Sequence, residues 1–414
     1  MAKKKSSKSS KSTYKTAKKV AKTVSKLPVP VIVSILIVVV VVAVVLFLFK
    51  DRIKEMLSPK TTTRPTISRV QYGGEGDLMV HYMNVGQGDG ILVELPDGDE
   101  MLIDLGCKGI TVNYETVLKP YISSYVEDNT IEHLVLTHTD EDHVSYLDNV
   151  IEDFQVNNIY MPYILANPGT GSTQKENAQN KINALDTEKL NLFKDPDTID
   201  TIVYANFFIN ALSEPNCDIH INMDDDNYTT NNKIIGENNS YLVTFICPTK
   251  DFYQNTNLND AHAKNAVSPV IIIEYNSRAL VFTGDCNAYW SGSNLKTTEG
   301  NELFMVERIK ALYGPTGIDC DVLKVAHHGA EEASSNEFLD VVSCEYGVIS
   351  CGDGNTYKHP RQEALDRMKS HNMIVYRTDL NGNIVCTINS AGELVFNMDT
   401  TGISQEAEFI GADK

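Results

Sequence analysis

The segment His138-Thr-Asp140-Glu-Asp142-His143 sets four potential metal ligands within six residues, directly after the apolar run Leu134-Val-Leu-Thr137. A buried strand ending there is a rigid platform, and the turn beyond it can fold all four side chains toward one point. Imidazole and carboxylate together bind a divalent cation, and so dense a cluster can share two. Taken alone, the segment could equally be a solvated turn. Three further pieces argue otherwise. Val281-Phe-Thr-Gly284-Asp285 is an apolar strand that delivers a carboxylate at its end, and Asp321-Val-Leu-Lys-Val-Ala-His327-His328-Gly329 is another ending in paired histidines. Gly347-Val-Ile-Ser350, followed by Tyr357-Lys-His359-Pro360, is a third. In this order, alternating with helical segments, they point to one site assembled from several strand ends.

With Asn84-Val-Gly-Gln-Gly-Asp89-Gly-Ile and Leu102-Ile-Asp104-Leu-Gly106, these blocks resemble the metallo-β-lactamase fold. More specifically, they are similar to the hydrolase domain of bacterial DNA-internalisation competence proteins of the ComEC type. The resemblance covers about residues 78–375. It implies an α/β (α+β) protein folded as an αββα sandwich, a divalent-metal centre, and a nuclease that degrades DNA. It also implies a partner: those competence proteins form a channel with many membrane spans, and this chain has one candidate span. A separate DNA-uptake channel protein is therefore expected beside it, unless it works as an independent surface phosphoesterase.

Two metal positions follow from the ligand types. His138 and Asp140 would hold the first ion, Asp142 and His143 the second, with Asp285 bridging. His327 or His328 would complete the second, and the spacing does not decide between them. A divalent cation lowers the pKa of a coordinated water to near 7, which arms it as a nucleophile. Asp142 is either a ligand or the group that orients this nucleophile. His359 is placed to stabilise a developing oxyanion or protonate a leaving group, its plainer reading being a helix-entry residue before Pro360. Many members of the wider superfamily carry His where Asp140 stands, and another about twenty residues before the bridging Asp. Asn265 occupies that register here, with His262 three residues off as a candidate replacement. Oxygen in place of nitrogen favours Mn²⁺ or Mg²⁺ relative to Zn²⁺, or weakens one site. Lys324, Lys358 and Asn265 are the candidate substrate contacts, with Arg361 adding positive charge. Bulk at Tyr146 would narrow the approach to the metals.

The elements that must position these groups can be read from periodicity. Leu78–Val85 alternates as a strand, and Ile91–Leu95 with Met101–Asp104 makes a hairpin around Asp97-Gly98. Residues 115–126 read as a helix with Val117, Leu118, Tyr121 and Ile122 on one face, and 144–154 as an amphipathic helix. Residues 163–238, rich in Asn, Asp and Thr, read as an insertion forming a lid or rim, with Asp224–Asp226 in a solvated acidic loop. Strands are expected at 241–245, 270–275, 280–283, 321–326 and 346–350. Helices are expected at about 300–313, 335–343 and 361–370. Asn381-Gly382 suggests a hairpin between 373–377 and 384–388, with a further strand near 393–397.

Upstream of these lies a different composition. Residues 1–26 hold ten Lys and no acid, a segment unable to bury a core and expected to be a disordered cytoplasmic tail. Within 27–49, the apolar run Val29–Phe49 spans roughly 30 Å as a helix, one bilayer core. No small-residue cleavage site follows it, which favours a transmembrane anchor over a signal peptide. The lysines before it place the N-terminus in the cytosol and the remaining chain outside. Residues 50–76 read as a juxtamembrane linker, 77–400 as the hydrolase domain and 401–414 as a tail. Without its first 26 residues the chain carries 26 Lys and Arg against 55 Asp and Glu, an acidic body that repels polyanions. That balance keeps a second enzyme class open, hydrolysis of small esters, lactones or choline phosphate. A third class is a membrane-tethered binding module without catalysis. The eight cysteines form no Cys-x-x-Cys pair, which argues against a zinc ribbon or a thioredoxin motif.

Overall fold

The computed structural model describes residues 72–109, 111–193, 198–225, 230–255, 258, 261–288 and 300–414, without the side chains of 200, 255, 261 and 262. The cytoplasmic-tail and transmembrane expectations, and most of the linker, lie outside the described residues. Among the described residues no helix is long and apolar enough to cross a membrane.

Alternating apolar residues build two sheets that face each other. The first contains β1 (Leu78–Tyr82), β2 (Gly90–Glu94), β3 (Glu100–Leu105), β4 (Thr130–Val135) and β5 (Gln155–Met161). Short strands β6 (Leu165–Asn167) and β7 (Thr198–Asp200) pair separately, and β8 (Asp218–Ile221) joins the first sheet beside β5. The second sheet contains β9 (Lys233–Ile235), β10 (Leu242–Ile246), β11 (Val270–Tyr275), β12 (Arg278–Phe282), β13 (Val322–Lys324), β14 (Tyr346–Ile349) and β15 (Ile374–Arg377). Finally β16 (Ile384–Ile388) and β17 (Leu394–Met398) return to the first sheet, whose order is β17-β16-β1-β2-β3-β4-β5-β8. The second runs β15-β14-β13-β12-β11-β10-β9. Each sheet is antiparallel on one side and parallel on the other: β3, β4, β5 and β8 are parallel in the first, β12 to β15 in the second.

Period-two burial explains the layers. Leu78, Val80 and Tyr82 of β1 and Ile91 and Val93 of β2 meet Val243, Phe245, Ile271, Ile273, Leu280 and Phe282 of the opposite sheet. The intervening residues face outward onto helices. Leu92, Leu102 and Leu134 join one outer core, and Val281, Leu323 and Ile349 the other. Each such fully buried aliphatic side chain contributes about 1.5–3 kcal/mol. Sheet faces coated by helices on both outer sides form an αββα sandwich, a mixed α/β fold.

Several local expectations are corrected. Tyr114–Leu118 is one π turn running into the α turn Lys119–Ile122, and the wider turn shifts the helical phase. Val117 is consequently exposed, and Tyr114 is buried in its stead beside Leu118 and Ile122. The helix expected over 144–154 breaks at Ser145 and Tyr146 into α1 (Glu141–Val144) and α2 (Leu147–Asp153). Tyr146 turns into the outer core and donates its hydroxyl to the Val112 carbonyl, so it does not narrow the site. The described part of 163–238 joins the scaffold instead of forming a lid or rim. Its helix α3 (Ile202–Ser213) buries Tyr204, Phe207, Phe208 and Leu212 in the outer core, while β8 and β9 extend the two sheets. Asp224 is fully buried and paired with Arg308, not solvated. Finally, Asn381-Gly382 closes no hairpin. Thr378–Asn381 is a helical turn that carries the chain from β15 in one sheet to β16 in the other.

Candidate metal centre

Three strand ends deliver the ligands with the same spacing. His138, Asp285 and His327 each stand three positions past the last residue of β4, β12 and β13. Parallel registers place them together: Phe282 of β12 is level with Lys324 of β13, so Asp285 and His327 leave the sheet side by side. The His327 N–H donates to the Gly284 carbonyl at 3.1 Å. On the first sheet β3 and β4 are parallel with Ile103 level with Val135. Asp104, just beyond, accepts from the Thr137 N–H at 2.7 Å and its hydroxyl at 2.6 Å. Ligands gathered at carboxyl ends of parallel strands are the general pattern for α/β sheets.

Close backbone approach brings α1 to the same edge. A Cβ on Gly106 would meet the His143 nitrogen at 2.4 Å and the Asp142 carbonyl carbon at 2.5 Å. The absence of a side chain there lets the end of β3 lie against the first turn of α1. The Asp89 N–H donates to the Asp142 carbonyl at 2.9 Å, tying in the Gly-Gln-Gly-Asp loop. His327 and His328 both take positive φ (49° and 52°), a conformation that costs non-glycine residues about 1–3 kcal/mol each. Two successive left-handed residues splay the rings, which lie 6.2 Å apart and inclined by 63°.

The splay resolves which histidine goes where. Asp285 Oδ1 lies 3.2 Å from His143 Nε2 and 3.7 Å from His328 Nε2, and the latter is 3.6 Å from Asp142 Oδ2. Asp285 Oδ2 faces the other way, 3.8 Å from His138 Nε2 and 3.6 Å from His327 Nε2. Among the described residues, His138 Nε2, His143 Nε2, His328 Nε2 and Asp285 Oδ1 are buried without an aligned hydrogen-bond partner. Buried polar atoms left unpaired are costly, and those of His143, His328 and Asp285 facing one space fit a cation, with His138 Nε2 on the Oδ2 side of Asp285. Ligand atoms of His138, His143 and Asp285 converge within 4.8 Å of one another, as do those of Asp142, His143 and His328.

Partners behind the ligands hold them in place. His143 Nδ1 is 2.8 Å from Asp104 Oδ2, and His328 Nδ1 donates to the Ser350 carbonyl at 2.9 Å. Asp89 lies beneath both rings, 3.9 Å from His143 and 3.4 Å from His328. Its charge is balanced by Lys324, whose ammonium is 2.8 Å away. Lys324 is fully buried, so the expected substrate contact is corrected to a support for the ligand shell. It is the inward-facing residue at the end of β13, and alternation aims it between the sheets. Asp89 and Asp104, and Lys324 in this role, are site positions that sequence reasoning did not assign. The first two had a signal, since each closes a motif at a strand end.

Electrostatics divides the site. Burial alone would lower the His143 pKa, but Asp285 and Asp104 raise it well above the ordinary imidazole value. Burial is likewise outweighed at His328, where Asp285 and Asp89 push it up to about 10. Burial would raise the carboxyls of Asp142 and Asp285, yet the facing imidazoles hold both well below the usual range. An anionic pocket that takes up protons in this way is one that a metal ion could neutralise instead. His138 is lowered by burial and then by His143, so it stays neutral, as a ligand must. His359 is lowered to about 3 by burial and by His327 and His328, whose rings lie 5.4 and 6.3 Å away. A neutral His359 can donate an N–H to an oxyanion but holds no extra proton for a leaving group.

The remaining assignments separate. Lys358 is exposed next to His359 on the rim. Asn265 is buried, with its side-chain amide 3.3 Å from His327 Nε2, and thus faces a histidine instead of open solvent. Asp140 contacts Lys264 Nζ at 2.5 Å and keeps Oδ2 4.0 Å from His138. The His262 side chain lies outside the described residues. Cys107 and Cys286 are buried thiols bonded to Thr111 and the Ser268 carbonyl, hence part of the core, and all eight cysteines are free.

Comparison with known proteins places this geometry. Residues 83–205 match the model of the metallo-beta-lactamase superfamily. The chain is 33% identical over 125 residues to ComE operon protein 3 of Bacillus subtilis, covering 30% of this chain and 14% of that protein. It is 35% identical over 118 residues to competence protein ComA of Neisseria gonorrhoeae, covering 28% and 15%. The matched segment thus spans about one-seventh of either relative. Among solved structures, the metallo-beta-lactamase fold protein YhfI from Bacillus subtilis is 10% identical with a TM-score of 0.39, over 77% of this chain and all of YhfI.

Proposed function

We propose that this chain is a metal-dependent hydrolase that cleaves phosphodiesters, with DNA as its substrate class. The observation that carries the hydrolase reading is the set of unpaired buried ligand atoms around Asp285 Oδ1. A divalent cation held there by Asp142, His143, Asp285 and His328 would supply Lewis acidity and a nucleophile at neutral pH. The residues of the chain perform the remaining tasks. Asp104 and the Ser350 carbonyl fix the ring orientations of His143 and His328. Asp142, the most exposed of the four ligands, is placed to orient the attacking water, and neutral His359 to donate to the developing oxyanion. Zn²⁺ and Mn²⁺ both suit this mixture of nitrogen and oxygen.

The phosphodiester preference is supported by the two relatives being competence proteins, and opposed by the acidic balance of the body. A DNA-uptake channel as partner rests on the same relatives. The apolar run within 27–49 and the lysines before it support tethering to the cell membrane with the catalytic domain outside.

Purified full-length protein in detergent, supplied with Mn²⁺ or Zn²⁺, should cleave DNA and bis(p-nitrophenyl) phosphate. Asp285→Ala should lower that rate by more than about 100-fold. Turnover confined to carboxylic esters would replace the phosphodiester reading with a small-ester hydrolase, and no turnover with any metal would leave a tethered binding module. Protease added to intact cells should remove the C-terminal body; full protection refutes the extracytoplasmic placement.

A further inference from the structure

The two oxygens of Asp285 face unequal surroundings. Oδ1 looks into a pocket of buried, unpartnered ligand atoms, whereas the side facing Oδ2 already holds a cation of the chain's own. Lys264 sits next to Asn265 on the helical turn Ala261–Asn265, and its Nζ lies 2.5 Å from Asp140 Oδ1. Asp140 is the carboxylate that a first metal ion would need beside His138. Asn265 turns its amide to His327 Nε2, and the other ring nitrogen of His327 lies 3.5 Å from Glu332. Among the described residues, none of the converging ligand triads contains Asp140 or His327. Lys264 engages Asp140 Oδ1 and the Asn265 amide faces His327 Nε2, which leaves His138, Asp285 Oδ2 and Asp140 Oδ2, the last 4.0 Å from His138, so a second ion fits this side less well than the first fits the other.

An ammonium and a divalent ion compete for one carboxylate, because each is stabilised by the same negative charge and repels the other. We propose that Lys264 stands in for the first metal ion: its ammonium neutralises Asp140, and the chain holds one ion tightly, at Asp142, His143, Asp285 and His328. This rests on the reading of the pocket as a metal centre. The consequence for substrate is local. The positive charge opposite the bound ion would be a lysine, able to meet an anionic phosphate oxygen as a point charge.

The test is metal stoichiometry, measured on the full-length protein by mass spectrometry after equilibrium dialysis and by titration calorimetry with Zn²⁺ and Mn²⁺. Lys264 is partly exposed, so Lys264→Met should fold, with its melting curve as the check. The wild type should bind one ion tightly. Lys264→Met should bind a second at least about tenfold more tightly than the wild type does, while Lys264→Arg, which keeps the charge, should remain at one. Two equally tight ions in the wild type would overturn the proposal, as would a single ion in both wild type and Lys264→Met. No bound ion in the wild type would instead overturn the metal reading itself, and this proposal with it.

Discussion

The two sides of Asp285 are built from the same residue types, yet they differ in what stands behind them. On the Oδ1 side His143, His328 and Asp285 are nearly or fully buried, and each ring is gripped from behind by Asp104, Asp89 or the Ser350 carbonyl. On the Oδ2 side Asp140, Lys264 and His327 remain partly exposed. The Asp140–Lys264 contact there joins two partly exposed side chains, although His138 on the same side is fully buried. Affinity for a cation depends on ligands that cannot relax to satisfy one another. A buried, backed pocket has this property, and a partly wet one with its own lysine does not.

Breaking the support under the Oδ1 side should have the largest effect. Lys324→Met removes the ammonium partner of the buried Asp89, and is expected to cost about 3–5 kcal/mol of stability in denaturant titrations. The double change Lys324→Met with Asp89→Asn should recover part of it, and a loss equal to the sum of the two single changes would show that the pair is not coupled. Removing the histidines one at a time sharpens the comparison. His328→Ala should weaken the tight ion by more than about 100-fold in calorimetry, and His327→Ala by less than about tenfold. Similar losses would mean that both sides hold metal alike. Asp104→Asn removes only the partner behind His143 and should weaken the ion by about 10- to 100-fold.

The smallest effect is one of pH. The raised pKa values of His143 and His328 mean that the metal-free protein is stabilised by their protonated forms. That contribution is fully present below the unfolded-state value near 6.5 and is lost as pH rises through the raised folded-state values, about 10 for His328. Metal must displace these protons, so apparent affinity should rise about tenfold per pH unit for each proton released. Added metal should therefore raise the melting temperature more at pH 9 than at pH 6. An equal increment at both would contradict the assignment of these rings as ligands.

Much of the scaffold was legible in the chain because its signals are local. Leu78–Tyr82 alternates with period two, Val270–Tyr275 and Arg278–Phe282 are short apolar runs, and the helices Asn301–Tyr313 and Gln362–Ser370 fall where the sequence pattern places them. Failures arose where one local signal had two outcomes. Asn381-Gly382 suits a hairpin as well as a helical turn, and only the partner strands decide, since Ile374–Arg377 and Ile384–Ile388 find theirs in different sheets. Lys324 carries a positive charge near the site and in sequence reads as a substrate contact. Its burial follows from the facing sheet, which no local window contains.

The order of residues by itself determined the inventory of this centre. It supplied imidazoles and carboxylates just past the ends of apolar strands, because strand propensity and ligand chemistry are both written one residue at a time. Which nitrogen faces which oxygen was decided only by the tertiary structure. The two histidines after Ala326 diverge because their backbone is held in the left-handed region between β13 and the loop after β14. Asp140 meets Lys264 because two segments more than a hundred residues apart are packed at one edge. Distances of this kind depend on the registers of β12 with β13 and of β3 with β4, and a register is a property of two strands together.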